Sequence, residues 1–491
     1  MPNVNQGSLT TQLQTIINGL NVATQTKERL ITLARSAQAI NANSSTITTQ
    51  LETLISTLPP SEALKEVALL IVSLALITDN RVLTVATLGD LPTTASAGSV
   101  YFVDSVGFPY IRRINGTWVL LENPQLGRNA YGWGSNFYGH LGDGTAVTRS
   151  SPVLVAGGFA DWVQVTAGDA HTVGIRANGT AWAWGRNNYG QIGIGTYAGA
   201  SRLSPVSVVG GFTDWVQVSA NNNSTVAIRA NGTAWGWGRN SPGNLGDNTS
   251  GGARTSPVSV VGGFTDWIQV AAGAAHSVGL RSNGTAWAWG ANNNGQLGDN
   301  TTVSKLSPVS VVGGFTDWIQ VSGGSTHTVA LRSNGTAWSW GNGISGGLGD
   351  STTVTKSSPV AVVGGFTDWI QVSGGTAHTV GIRANGTAWA WGSNANGRLG
   401  DGTLETSSKS SPVSIVGGFT DWVQVSGASA GARGLRANGT AWGWGSNVGG
   451  QLGDNAVGGT VSRSSPVSVL GGFTDWIQVS AGNNHTMALR S

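Results

Sequence analysis

One phrase, Gly-Gly-Phe-Thr-Asp-Trp-Ile-Gln-Val, recurs seven times in near-identical form, with tryptophans at Trp162, Trp215, Trp267, Trp318, Trp369, Trp422 and Trp476. The steps between them are 53, 52, 51, 51, 53 and 54 residues. A fixed period of this size marks a solenoid, a propeller or an array, because one unit cannot bury its apolar face alone and its neighbours must cover it. Repetition also lets the chain be compared with itself. Residues present in every copy belong to the scaffold, and residues that differ between copies are where function resides.

Each unit reads Ser-Pro-Val-Ser-Val-Val, then Asp-Trp-Ile-Gln-Val-Ser, then His-Thr-Val-Ala-Leu-Arg, then Asn-Gly-Thr-Ala-Trp-Ala-Trp-Gly. Every piece is strand-length with alternating apolar residues. Asn-Gly between the last two pieces predicts a type I′ hairpin, with positive φ at both positions. Trp287 and Trp289 lie two apart and so share one face of their strand. Four short strands repeated seven times predict a mainly β, seven-bladed β-propeller over residues 128–491. The final unit stops at Leu489-Arg490-Ser491, before its Trp-x-Trp strand, and the missing piece stands at residues 129–134 as Asn-Ala-Tyr-Gly-Trp-Gly. The first strand of the domain is therefore expected to complete the last blade and remove both open edges.

Gly482-Asn483-Asn484-His485-Thr486-Met487-Ala488-Leu489 and Asn292-Asn293-Asn294-Gly295-Gln296-Leu297-Gly298, with the Asn-Gly and Trp-x-Trp-Gly elements, resemble the repeats of the RCC1 family over roughly 360 residues. The resemblance implies the propeller fold. It leaves function open, since such propellers include exchange factors, enzyme inhibitors and adaptors.

The rest of the chain has a different character. Residues 1–83 read as helix, with a coiled-coil-like seam of Leu9, Leu13, Ile16 and Leu20 continued by Leu30, and with Lys27 on the seam weakening it. This segment is expected to make a homotrimer. Residues 84–127 read as a small β module, with strands near Val100–Val103, Tyr110–Ile114 and Trp118–Leu121 and an Asn115-Gly116 turn. About 35 of these residues resemble β modules of bacteriophage tail fibres.

Composition narrows the chemistry. There is no cysteine, which excludes disulfides, thiolate nucleophiles and cysteine-ligated metals. The net charge of +3 is too balanced for a nucleic-acid footprint. The start of the chain shows no signal peptide. Val67–Ile77 is about half a bilayer crossing, so no membrane insertion is expected.

His171, His276, His327, His378 and His485 hold one register in five units, with Ser224 and Gly431 in the other two. Spread round a ring, they cannot converge on one ion, so a structural hydrogen-bonding role is expected and no metal. The repeated aspartates and basic residues are expected to pair within blades. Outside that repeated set only Asp169 and Glu405 remain, in different blades, so no catalytic pair, no enzyme and no cofactor are expected. Two loop sets vary between copies: the one between Leu-Gly-Asp and Ser-Pro, as in 194–200 and Leu404-Glu405-Thr406, and the one before the histidine register, as in Asn221-Asn222-Asn223 and Ala430-Gly431-Ala432-Arg433. Loops carried by a rigid scaffold are the usual place for binding. Phe137, Tyr138, Tyr189 and Tyr197 fall there in the first two blades, Tyr138 and Tyr189 at a scaffold register and Phe137 and Tyr197 without counterparts. The function expected from these features is a virion appendage, a tail fibre or related baseplate or neck fibre. Its propeller would bind a host-surface glycan or protein and its N-terminus other virion proteins, after synthesis in the host cytoplasm. The alternative is a soluble RCC1-like propeller that binds protein as an inhibitor or adaptor.

Overall fold

A computed structural model describes residues 83–85, 100–103, 108–112 and 118–120 by their backbone, and residues 128–197, 201–404, 407–456 and 462–491 in full. The chain divides into two units, Met1–Asn123 and Pro124–Ser491. The helical seam Leu9, Leu13, Ile16, Leu20 and Leu30 lies outside the described residues.

In the first unit, strands β1 (Leu83–Val85), β2 (Val100–Val103), β3 (Phe108–Arg112) and β4 (Trp118–Leu120) form one sheet in that order. The first pair is parallel and the other two are antiparallel. Leu83, expected to end the helical segment, opens a strand instead.

The second unit contains seven four-stranded sheets. Blade 1 is Trp162–Ala167, His171–Arg176, Ala181–Gly185 and Arg202–Ser207. Blades 2 to 6 repeat that plan from Trp215, Trp267, Trp318, Trp369 and Trp422. Blade 7 joins Trp476–Ala481 and His485–Arg490 to Asn129–Gly134 and Arg149–Leu154. The Ser-Pro-Val piece is thus the outermost strand of the preceding blade rather than the first of its own. Two returning strands, not one, close the ring.

The Asn-Gly turn also differs from expectation. Gly179 has φ +73°, while Asn178 is absent from the positive-φ residues. Arg176 O accepts from Gly179 N at 2.8 Å and Arg176 N donates to Thr180 O at 3.0 Å. That is a type I turn followed by a glycine bulge. Asn178 Oδ1 accepts from Thr180 Oγ1, whose oxygen accepts from Trp182 Nε1 at 3.0 Å, so the whole Asn-Gly-Thr-Ala-Trp phrase is one local hydrogen-bond chain.

The core is seven wedges, one between each pair of neighbouring blades. Between blades 1 and 2, Val173, Ile175, Ala181 and Ala183 meet Trp215 and Trp237. Second strands are covered on both faces, so His171–Ile175 is buried without alternation. Trp287 and Trp289 pack in one wedge, as their spacing requires. The Gly-Gly-Phe-x-Asp-Trp phrase forms a clamp: Phe159 stacks under Arg176, whose Cζ lies 4.1 Å from the ring centroid, and Arg176 Nε donates to Asp161 at 2.8 Å.

Candidate functional site

The scaffold residues come first, because they define what is left over for binding. In the innermost strands, each glutamine accepts from the next blade's backbone. Gln164 Oε1 takes Val218 N at 2.8 Å, and the series continues round the ring until Gln478 takes Val165 N at 2.9 Å. A second tier, from Thr166 Oγ1 to Ala220 N onward, runs through six interfaces and is broken where Ala271 has no hydroxyl.

The histidines bridge blades. His276 Nε2 meets Thr328 Oγ1 at 3.0 Å, and Thr328 donates its own proton to Gln296 O at 2.8 Å. The hydroxyl proton being committed, the histidine must be the donor, through Nε2–H. Nδ1 of His171, His276, His378 and His485 has no hydrogen-bond partner. Burial then pushes His171, His276 and His378 down to about 3 and His327 to about 4. These rings are neutral structural donors. Their glycine partner is explained by contact: a Cβ on Gly168 would run into the His171 ring. Glycine therefore stands three residues before histidine in five blades, and both are absent together in blade 2 (Asn221, Ser224) and blade 6 (Ala428, Gly431).

Charges pair within blades. The Asp before each Trp binds the Arg of the second strand (the third by the sequence reading) at 2.7 to 2.8 Å in all seven. Arg149, Arg254, Arg463, Lys305 and Lys356 bind the Leu-Gly-Asp carboxylates at 2.8 to 3.9 Å. Burial works to raise Asp143, but hydrogen bonds from Thr145 and the Arg149 charge outweigh it and hold the carboxyl below its usual range.

Antiparallel strand order places the first-to-second and third-to-fourth strand loops of every blade on one face. Both variable loop sets lie there. At its centre the ends of the innermost strands enclose an axial cavity of about 290 Å³ lined by small residues of all seven blades. Asp169 is the charged residue of that lining; Asn483 Nδ2 donates to its Oδ1 at 2.6 Å. Glu405 lies outside the described residues.

Phe137 and Tyr138 belong to the closing blade 7 and Tyr189 and Tyr197 to blade 1, which are neighbours only because the ring closes. Phe137 is 76% exposed. Its register is not unique, since Ile344 (70%) and Val448 (69%) occupy it in other blades. Tyr138 lies under Arg186, with Cζ 5.0 Å from its ring centroid, and Tyr189 lies under Arg239 at 5.5 Å, a repeated Tyr–Arg stack one blade apart. Tyr197 is exposed on its ring but donates its hydroxyl to Ala253 O at 2.8 Å, tying its loop to blade 2.

Two buried residues depart from the sequence reading, which placed Arg433 in a variable binding loop and did not single out His140. Arg433 is 1% exposed and donates to Thr486 Oγ1 at 2.8 Å and Gln451 O at 3.0 Å; burial pushes it down to about 9. The signal was available: blade 6 lacks its histidine at Gly431 and carries an arginine two residues on, where the other blades are apolar. His140 lies 4.5 Å from His485 between ring centroids, and burial pushes it to about 4. It stands where blades 1, 3 and 6 have Gln191, Gln296 and Gln451.

These features define a closed seven-bladed propeller with one face of variable loops. The model of the Regulator of chromosome condensation (RCC1) repeat matches residues 129–175, 178–228, 231–280, 283–331, 334–382, 385–432 and 438–489, and the chain belongs to the RCC1 repeat family. It is 31% identical over 286 residues to the Ultraviolet-B receptor UVR8 of Arabidopsis thaliana, covering 57% of this chain and 64% of UVR8. It is 29% identical over 286 residues to the E3 ubiquitin-protein ligase HERC2 of Homo sapiens, covering 55% of this chain but 6% of HERC2. Prp20p of Saccharomyces cerevisiae superposes with a TM-score of 0.67 at 20% identity, over 74% of this chain and 92% of Prp20p, which shows the shared fold.

These matches overturn the virion reading. The relatives are proteins of plant and animal cells, and they favour the RCC1-like propeller over a tail fibre. The expected homotrimer, virion and host-surface partners and virion location fall with it. The phage resemblance rested on about 35 residues of short strands and turns, a pattern many small sheets share, whereas the repeats span the propeller. The similarity to HERC2 covers its repeats and brings no ligase activity to this chain.

Proposed function

We propose that this chain is a protein-binding propeller whose interaction face is the one bearing the axial cavity and the long loops. One observation carries the reading: the blades are nearly uniform, yet the aromatic residues of their third-to-fourth strand loops gather in one sector of that face. Phe137, Tyr138, Tyr189, Tyr197, Asp169 and Asn221 to Asn223 all belong to blades 7, 1 and 2. Exposed aromatics on a rigid frame are the side chains that anchor protein interfaces. The relatives lend support, since Prp20p is described by its binding to Gsp1p and histones.

The test is co-purification from cells with two variants of the full chain. Phe137→Ser with Tyr197→Ser alters the sector, and Ile319→Ser with Ile370→Ser alters the opposite end of the innermost strands. Loss of a partner in the first variant and its retention in the second is the expected result. The reverse pattern would move the interface to the other face.

A further inference from the structure

The axial cavity has seven equivalent positions at its mouth, one from each first-to-second strand hairpin. Six carry Asn222, Ala274, Ser325, Thr376, Ser429 and Asn483, and the seventh carries Asp169. The hairpin that holds it is tight, closed by Gly168 N donating to His171 O at 2.8 Å, so the carboxylate is held at the channel. Its Oδ1 accepts from Asn483. Its Oδ2 accepts no hydrogen bond, and no cation pairs with Asp169, among the described residues. Every other aspartate of the propeller is either paired to a basic residue or hydrogen-bonded within its Leu-Gly-Asp loop. Among the described residues of the propeller, Asp169 is therefore the carboxylate whose charge the scaffold does not use.

Its surroundings are apolar on the rim. Asn484, next to Asn483, accepts from Ser135 N at 2.9 Å, two residues before Phe137. Gly449, next to Val448, lies with its Cβ direction 3.3 Å from Asn484 O and from Ser135 Cβ. Val448 and Phe137, both exposed, thus stand in loops that adjoin the hairpin of Asn483, the partner of Asp169. A volume of about 290 Å³ sits at the bottom of the range of about 300–1,000 Å³ for small-molecule pockets, which suits one inserted side chain better than a cofactor.

We propose that the axial cavity receives a lysine side chain of a partner polypeptide, its ammonium on Asp169 Oδ2 and a flanking apolar residue on Phe137 and Val448. This rests on the reading of the same face as protein-binding. The carboxylate gives the charge-assisted hydrogen bond, the narrow small-residue wall admits an unbranched stem, and the apolar rim covers the neighbouring residue.

The test uses the full chain with two capped peptides, acetyl-Leu-Lys-Leu-amide and acetyl-Leu-Gln-Leu-amide, titrated by calorimetry or NMR. The lysine peptide is expected to bind roughly tenfold tighter, with the preference shrinking as salt rises. Asp169→Asn, which keeps the shape and the contact to Asn483, should erase the preference, and Asp169→Ser should do the same if the first variant is unstable. Phe137→Ser should weaken both peptides alike. A preference that survives both Asp169 variants overturns the proposal, as does failure of either peptide to bind. Equal binding of the two peptides, weakened by Phe137→Ser, also overturns the cavity assignment while leaving the protein-binding face in place.

Discussion

The interface between blades 3 and 4 and the one between blades 6 and 7 meet the same requirement with different chemistry. In the first, His276 lies against Gly273 and reaches Thr328 Oγ1 at 3.0 Å. In the second, Gly431 and Ala428 replace that pair, and Arg433 reaches Thr486 Oγ1 at 2.8 Å from a different position on the strand. Both threonines give their own proton to a loop carbonyl, Gln296 O and Gln451 O. What these two interfaces demand is a donor for a buried threonine oxygen. A neutral ring supplies it in one place and a guanidinium in the other.

The comparison predicts its largest effect in acid. Six buried histidines have pKa values lowered by burial, to about 3 or 4 for five of them and well down for His485. The unfolded chain binds protons near pH 6.5 while the folded chain does not, so stability is full above that pH and falls as pH drops toward 4. Each lowered group costs about 1.4 kcal/mol per pH unit in that window. All six act in the same direction, against the ~5–15 kcal/mol that holds a domain folded. Urea midpoints taken from pH 7 to pH 4 should fall steeply; a flat profile would mean the rings are already charged or solvated.

Arg433→Ala comes next, because it empties the site and strips Thr486 of its donor. A loss of about 3–5 kcal/mol is expected in denaturant unfolding. His276→Ala should cost about 2–3 kcal/mol, less than Arg433→Ala, since a smaller neutral group is removed. Gln269→Ala, which frees only Val321 N at the innermost strand, should cost about 1 kcal/mol. Phe137→Ser should leave stability within about 0.5 kcal/mol of the parent while weakening binding on the loop face.

Much of the fold was legible because its signals are local. Strand lengths, the Trp-x-Trp face and the return of Asn129–Gly134 to the last blade all follow from alternation and from a unit that ends early. The Asn-Gly turn was misread because the dipeptide suits two hairpin geometries, and the Asn178–Thr180 hydrogen bonds select the bulged one. The candidate site was legible only as a set of departures. Phe137 seemed without counterpart until structural register aligned it with Ile344 and Val448. Arg433 was read as part of a variable loop because Ala430-Gly431-Ala432-Arg433 breaks the strand pattern of the other repeats, whereas it stands in a strand covered on both faces. The assignment of function went wrong where generic short strands were given more weight than the repeats.

The sequence by itself determined the number of blades, their strand patterns and the closure of the ring, since each depends on residues close together or on simple repetition. Tertiary structure alone decided which carboxylate is spent and which is free, which donor serves each interface, and that four aromatics and Asp169 share one sector. Those facts depend on partners such as His276 and Thr328, 52 residues apart, or Gln478 and Val165, 313 apart. A hydrogen bond between neighbouring blades leaves a periodic residue type along the chain, as the histidine register does, but not the identity of its partner, because its two ends are ordered by the ring and not by the strand.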